Sequence, residues 1–178
     1  MRVYIRTLGC DKNSVDSEYA AGLLAANGAV LVNEPEEADV MIVNTCAFIE
    51  DAKRESIYAI LDLAEDKRPG QKFFAIGCLA QRYGKELAVE LPELDGFVGV
   101  NDYARMPELL ASKDEGRPVL QSGESRIFEE FPARLRMESP WTAPIKIAEG
   151  CSKACSYCAI PAIRGAYRSR KQEDILRE

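Results

Sequence analysis

Five short, nearly unbroken apolar runs, most of them followed by a segment with helical spacing, constrain this chain more than any other feature. Val3–Leu8, Ala29–Val32, Val40–Val43, Lys72–Ile76 and Phe97–Val100 read as strands. Several are apolar at consecutive rather than alternate positions, which suits strands buried on both faces, as in a parallel sheet. Between them, Val15–Ala26, Phe48–Ala64, Tyr83–Leu91 and Tyr103–Ala111 carry apolar residues at helical spacing, with Ile49, Ala52, Ser56, Ala59, Ile60 and Leu63 sharing one face. The connection Asn33–Asp39 is too short for a long helix and is left open. Alternating strands and helices imply right-handed crossovers, and hence an α/β fold with an open parallel five-stranded sheet and helices on both faces. The simplest strand order is 2-1-3-4-5, with a crevice beyond the carboxyl ends of the strands.

The six cysteines gain meaning on that frame. Cys10 follows the first strand, Cys46 the third and Cys78 the fourth, and these strands are neighbours in the expected order. Three thiols far apart in sequence therefore converge at one edge of the sheet. Gly9 and Gly77 precede two of them, and glycine lets backbone approach a bulky inorganic core. The other three lie within eight residues, Cys151-Ser-Lys-Ala-Cys155-Ser-Tyr-Cys158, on a loop after a short strand at Ile145–Ala148. Three local thiolates can hold a four-iron cube and leave one iron open to a small molecule. A zinc site is an alternative, although the chain has no histidine to complete a ligand set. Disulfides or inert buried thiols are the others.

Composition narrows the class further. No apolar run approaches the ~20 residues needed to span a membrane, and the N-terminus lacks a signal-peptide pattern, so a cytoplasmic protein is expected. In a reducing compartment cysteines serve as ligands or catalytic groups rather than disulfides. The net charge is −6, with 17 Lys and Arg against 26 Asp and Glu in residues 1–150, and 6 against 3 in 151–178. An acidic body argues against broad binding to nucleic acid. The basic tail, with Arg164, Arg168 and Arg170, offers a local partner for an anionic group, a solvated surface being the plainer alternative. Without histidine there is no imidazole acid–base chemistry, and neither a G-x-G-x-x-G nor a Walker-type loop is present.

Three regions are expected: a cluster-binding α/β domain at 1–112, a linker at 113–144 and a separate segment at 145–178. Prolines 118, 132, 140 and 144 mark the linker, with one short strand around Arg126–Phe128. Residues 1–112 close a core and are expected to fold alone. Residues 145–178, with one strand and part of a helix to bury, are expected to be poorly ordered. Ser169 to Gln172 reads as a capping box opening the last helix. Asn13, Asp16, Ser17 and Glu18 read as helix-start residues.

The CxxxCxxC spacing, with an aromatic residue before the last cysteine, resembles the radical S-adenosylmethionine superfamily. The resemblance implies that Cys151, Cys155 and Cys158 hold a 4Fe-4S cluster whose open iron takes S-adenosylmethionine, with Tyr157 near the adenine. Arg164 and Arg168 become candidate contacts to cofactor or substrate. Leu8-Gly-Cys10-x-Lys12-Asn13-x-x-Asp16-Ser17-Glu18, Val43-Asn44-Thr45-Cys46 and Ile76-Gly-Cys78 resemble the N-terminal domain of the methylthiotransferases. Glu149-Gly150-Cys151 onward to Pro161 and Arg164-Gly165 resembles the start of their radical-SAM (β/α) barrel domain, of which 145–178 would be only the first elements. The chain then reads as a piece of a longer protein, inactive by itself.

In that family Cys10, Cys46 and Cys78 would bind a second 4Fe-4S cluster carrying the sulfur to be transferred, with Asn44 and Thr45 hydrogen-bonding its sulfurs or merely shaping a turn. One S-adenosylmethionine would methylate that sulfur and another would supply the radical that opens an unactivated C–H bond. Two branches of the family compete. Leu8-Gly-Cys10-Asp-Lys12-Asn13 and the run from Asn44 to Ser56 resemble the branch that modifies the β carbon of an aspartate in a small-subunit ribosomal protein. Asp11 stands where that branch has proline. The alternative substrate is an adenosine in transfer RNA; the alternative class is a noncatalytic iron-sulfur module. An electron donor protein is implied as a further partner.

Overall fold

A computed structural model describes residues 1–112, 116–121, 134–137 and 140–178. Its core is a parallel sheet. Strand β1 (Arg2–Thr7) leads through helix α1 (Asp11–Ala26) to the two-residue β2 (Val30–Leu31). Strand β3 (Val40–Thr45) leads through α2 (Glu50–Glu65) to β4 (Lys72–Gly77), which runs directly into α3 (Cys78–Glu90). Strand β5 (Gly96–Gly99) is followed by a 3-10 turn at Tyr103–Arg105, by α4 (Met106–Ala111) and by β6 (Val119–Leu120). All six residues of β3 are buried, as a central strand covered on both faces requires.

The strand order is β2-β1-β3-β4-β5-β6, the expected order extended by one strand. Among the described residues the sheet thus has six strands, not five. The sixth falls in the segment read as linker, and at two residues it is too short to carry a pattern. Arg117 holds it in place by donating to three carbonyls, those of Leu94 (2.7 Å), Ala88 (2.7 Å) and Leu91 (2.5 Å). The strand expected around Arg126–Phe128 lies outside the described residues, as does much of 113–144.

Helix starts differ more. Helix α1 begins at Asp11, with Cys10 in the N-cap position, and α3 begins at Cys78 itself. Asn13, Asp16, Ser17 and Glu18 do not cap: they are 0–3% exposed and lie within α1, their side chains engaged by distant segments. The capping box at Ser169 is also absent, since Ser169 belongs to a strand and the last helix has Lys171 at its N-cap without a side-chain bond. The open stretch Asn33–Asp39 contains a single 3-10 turn, Pro35–Glu37.

After the linker, β7 (Ala148–Glu149) pairs antiparallel with β8 (Arg168–Ser169), with α5 (Ile160–Arg164) between them and α6 (Gln172–Arg177) after them. This segment has more to bury than its sequence suggested. Ile163 joins the main hydrophobic core at 1% exposure, and Arg164 and Glu149 are equally buried. Among the described residues no helix is long and apolar enough to cross a membrane.

Candidate metal centre

Register brings the first three cysteines together. Thr7 pairs with Asn44, Thr45 with Gly77 and Gly77 with Gly99, so neighbouring strands end at nearly the same level. Cys46 and Cys78 each follow immediately on a strand end, at 5% and 6% exposure, while Cys10 is exposed. Gly77 makes the sharp passage from β4 to α3 with φ of +98°, where a Cβ would stand 2.3 Å from Asn44 Oδ1 and 2.7 Å from the Thr45 carbonyl oxygen. Gly9, with φ of +93°, brings its backbone against Cys46 Cβ in the same way. Both glycines meet protein, and that close approach draws the three strand ends together.

Asn13 sits at the junction. Its Nδ2 donates to the carbonyls of Leu8 (2.8 Å) and Thr45 (3.0 Å), which lie just ahead of Cys10 and Cys46. Its Oδ1 accepts from Arg164 Nη2 at 2.9 Å and lies 3.7 Å from the Cys78 sulfur. Asn44 donates to the Asn13 carbonyl and to Ser17 Oγ, and Thr45 Oγ1 donates to the Ile76 carbonyl. Ser56 Oγ accepts from the backbone N–H of Cys46 at 2.9 Å. Cys10 takes the N-cap position of α1, and Cys78 is the first residue of α3.

Behind Cys78 lies a buried charge network. Arg164, 1% exposed, donates from Nη1 to Asp16 Oδ2 (2.8 Å) and Glu149 Oε2 (3.1 Å), and from Nη2 to Cys78 Sγ (3.2 Å). Lys146 bridges the same two carboxylates. Lys12, partly exposed, reaches Glu149 Oε1 at 3.3 Å. Burial alone would raise the Glu149 carboxyl, but Lys146, Arg164 and Lys12 outweigh it and hold the group down at about 2. Burial pushes the metal-free Cys78 thiol up to about 11, against the pull of Arg164.

The second set is open. Cys155 is exposed, Cys151 and Cys158 are half-buried, and Tyr157 is 88% exposed. The loop is anchored at its ends: the Cys151 N–H donates to the Gly165 carbonyl at 3.0 Å and the Tyr167 N–H to Ser152 Oγ at 3.1 Å. Arg168 donates to the Arg164 carbonyl. Arg164 follows Cys158 by six residues, at most about 20 Å of extended chain. Its side chain touches Cys78, so the two cysteine sets are tied closely together.

No cysteine is in a disulfide. Among the described residues no three Cys, Asp or Glu side chains converge on a point that holds a metal ion. A tetrahedral zinc site would place its sulfurs within about 4 Å of one another. An iron-sulfur cube has no such need, because each thiolate binds a different iron. The donor set of the first three cysteines, three sulfurs carried on adjacent strand ends drawn together by Gly9 and Gly77, fits a multi-iron group better than a single ion.

Residues 2–99 match the model of a family described as "Uncharacterized protein family UPF0004". The chain belongs to that family. Membership in UPF0004 covers Cys10, Cys46 and Cys78, while the Cys151 loop lies beyond the matched span. Two curated relatives extend the likeness, each bearing the name "Ribosomal protein uS12 methylthiotransferase RimO". That of a Thermoanaerobacter species is 47% identical over 178 residues, covering 99% of this chain and 41% of the relative. That of Desulfitobacterium hafniense is 48% identical over 181 residues, covering 99% and 40%. This UPF0004 chain thus spans about two fifths of the length of the relatives it matches. The likeness bears out the resemblance to methylthiotransferases read from the motifs.

Sequence reasoning missed the organising roles of Asn13, Asp16, Lys146 and Glu149. One signal was available. Asn13, Asp16, Ser17 and Ala20 occupy i, i+3, i+4 and i+7 of one helical stripe, and a polar stripe running on into small and apolar residues marks a buried polar face rather than a cap.

Proposed function

We propose that this UPF0004 chain serves a cytoplasmic radical S-adenosylmethionine methylthiotransferase that acts on an aspartate β carbon of ribosomal protein uS12, with an electron donor protein as its other partner. The observation that carries the reading is the convergence of Cys10, Cys46 and Cys78 at three adjacent strand ends beside a separate, complete CxxxCxxC loop. Cys151, Cys155 and Cys158 would hold one 4Fe-4S cluster with Tyr157 near the bound S-adenosylmethionine, and Cys10, Cys46 and Cys78 the other. The bound groups supply one-electron cleavage of the sulfonium and delivery of a methylthio group. The chain's own residues fix the first trio rigidly, through Asn13, Ser56 and the two glycines, and keep the second trio open to a small molecule. Arg168, beside Arg164, borders the loop and is the remaining candidate contact for an anionic group.

The test is replacement of each trio with alanine in a full-length version of the protein, followed by anaerobic reconstitution. Each triple variant is expected to keep about half the iron. Loss of Cys151, Cys155 and Cys158 abolishes 5′-deoxyadenosine formation, and loss of Cys10, Cys46 and Cys78 spares it while ending methylthio transfer. A triple variant that kept all its iron would overturn the assignment. Mass spectrometry of uS12 and of transfer RNA after incubation with enzyme, cofactor, reductant and sulfide decides the substrate, since an adduct on transfer RNA alone excludes the ribosomal reading.

A further inference from the structure

Arg164 points its two terminal nitrogens in different directions, and the direction of the second is unexplained by packing alone. Nη1 is held by Asp16 and Glu149, which with Lys146 make a balanced pair of carboxylates and pair of cations. A guanidinium whose task was only to pin the 145–178 segment could satisfy itself there. Nη2 turns instead toward Cys78 Sγ at 3.2 Å and Asn13 Oδ1 at 2.9 Å. Asn13 in turn grips the backbone just ahead of Cys10 and Cys46. One nitrogen of one side chain therefore sits where all three cysteine-bearing strand ends meet. Lys12 adds a third cation at the rim of the network, which then sets three cations against two carboxylates, and of these cations Arg164 is the one that reaches the sulfur.

We propose that Arg164 is a positioning residue for the iron-sulfur cluster of Cys10, Cys46 and Cys78: it donates a charged hydrogen bond to the Cys78 sulfur and thereby raises that cluster's reduction potential. The inference rests on the cluster assignment proposed above. The planar fork of arginine suits the role, because it can hold two carboxylates with one nitrogen and reach a sulfur with the other. Hydrogen bonds and positive charge at a ligating sulfur stabilise the reduced, more negative cluster, and so raise its potential. The same side chain arrives on the short helix that follows the CxxxCxxC loop, so the electronic setting of one cluster depends on docking of the segment that carries the other.

The experiment uses the full chain with Cys151, Cys155 and Cys158 replaced by alanine, so that only the first cluster is reconstituted. Its midpoint potential is measured by redox titration followed by electron paramagnetic resonance. Arg164→Gln is expected to retain iron, to lower the potential and to change the resonance signature; Arg164→Lys lowers it less, in the same direction. A structural ion pair would leave the potential of a folded, iron-loaded variant unmoved, and that result overturns the proposal. If Arg164→Gln fails to fold, Arg164→Lys decides: an ammonium cannot span Asp16 and the sulfur together, so an unshifted potential again overturns it. If the parent variant binds no iron, the cluster assignment itself has failed, a result distinct from an unmoved potential.

Discussion

Cys46 and Cys78 are 5% and 6% exposed at the ends of buried strands, whereas Cys155 is exposed and Tyr157 beside it is 88% exposed. The first trio is assembled by the sheet: its members are far apart in sequence, and only parallel register brings them to one level. The second is assembled by the chain itself, within eight residues. The difference has thermodynamic content. Closing three distant loops is paid for by the folding of the α/β core, so the sheet itself brings the first trio to one edge. The second needs almost no loop closure, and its final shape is free to be set by what binds it.

The sharpest way to break this contrast is at the charge network, the place where the two regions touch. Asp16→Ala leaves Lys146 and Arg164 buried, with Glu149 alone to balance them. Removing one partner of a buried pair typically costs about 3–5 kcal/mol. Denaturant unfolding should show a loss of that size, and hydrogen exchange should show 145–178 losing protection before β1, β3 and β4 do. Uniform loss across both regions would mean that the network supports the fold as a whole and not the junction.

Glycine substitutions compare the two regions directly. Gly77→Ala forces a Cβ to within 2.3 Å of Asn44 Oδ1 and 2.7 Å of a backbone oxygen, at a φ of +98°. Strain and overpacking together predict a loss of about 3 kcal/mol. Gly165→Ala, at φ +75° and ψ −167° and with its nearest neighbour 3.9 Å away, carries the backbone penalty alone, about 2 kcal/mol. Thermal melts of the two variants test the difference, and equal losses would sink the idea that the first site is the rigid one.

Much of this was legible in the sequence, and the exceptions share a cause. Continuous apolar runs reveal a doubly covered sheet, and topology then places Cys10, Cys46 and Cys78 together. The sixth strand escaped because Val119–Leu120 owes its position to Arg117, which grips carbonyls near the end of α3. Asp16 and Glu18 were read as helix-start residues because acidic side chains do favour a first turn. Their partners, Lys146 and Arg164 for Asp16 and Arg134 for Glu18, lie more than a hundred residues away. Local pattern cannot see across that distance. For the same reason Arg164, sought as a contact to cofactor or substrate, was not foreseen as a neighbour of Cys78.

Support of Cys46 from within its own region predicts a smaller effect. Ser56 Oγ accepts the Cys46 N–H and also lies within reach of the Cys46 and Ala52 carbonyls. Ser56→Ala strands a buried N–H, at about 1–2 kcal/mol. The loss should appear in equilibrium unfolding of the metal-free protein, with faster alkylation of Cys46 and no change at Cys155. Faster alkylation at both would show that the two trios loosen together.

The smallest expected effect is acid sensitivity at the far end of the junction, where Glu178 collects three partners. Arg134 Nη1 lies 2.7 Å from its Oε1, Tyr19 donates to Oε2 at 2.7 Å, and Arg170 pairs with the same oxygen. Burial raises the carboxyl, but Tyr19, Arg170 and Arg134 together bring it below its ordinary value of 4.5. A carboxyl depressed in the folded state contributes stability that is present above the unfolded value and is lost as pH falls through the folded one. The window therefore opens below about pH 4.5 and extends downward. Because the group is partly solvated, screening leaves on the order of 0.5 kcal/mol. Glu178→Gln should flatten the pH dependence of 145–178 protection in that window by about this amount, while the exchange of β3 and β4 amides keeps the wild-type profile. If the strands lost protection in step with the tail, the two regions would be one cooperative unit, and the contrast between a site assembled by the sheet and an adaptable one would have to be given up.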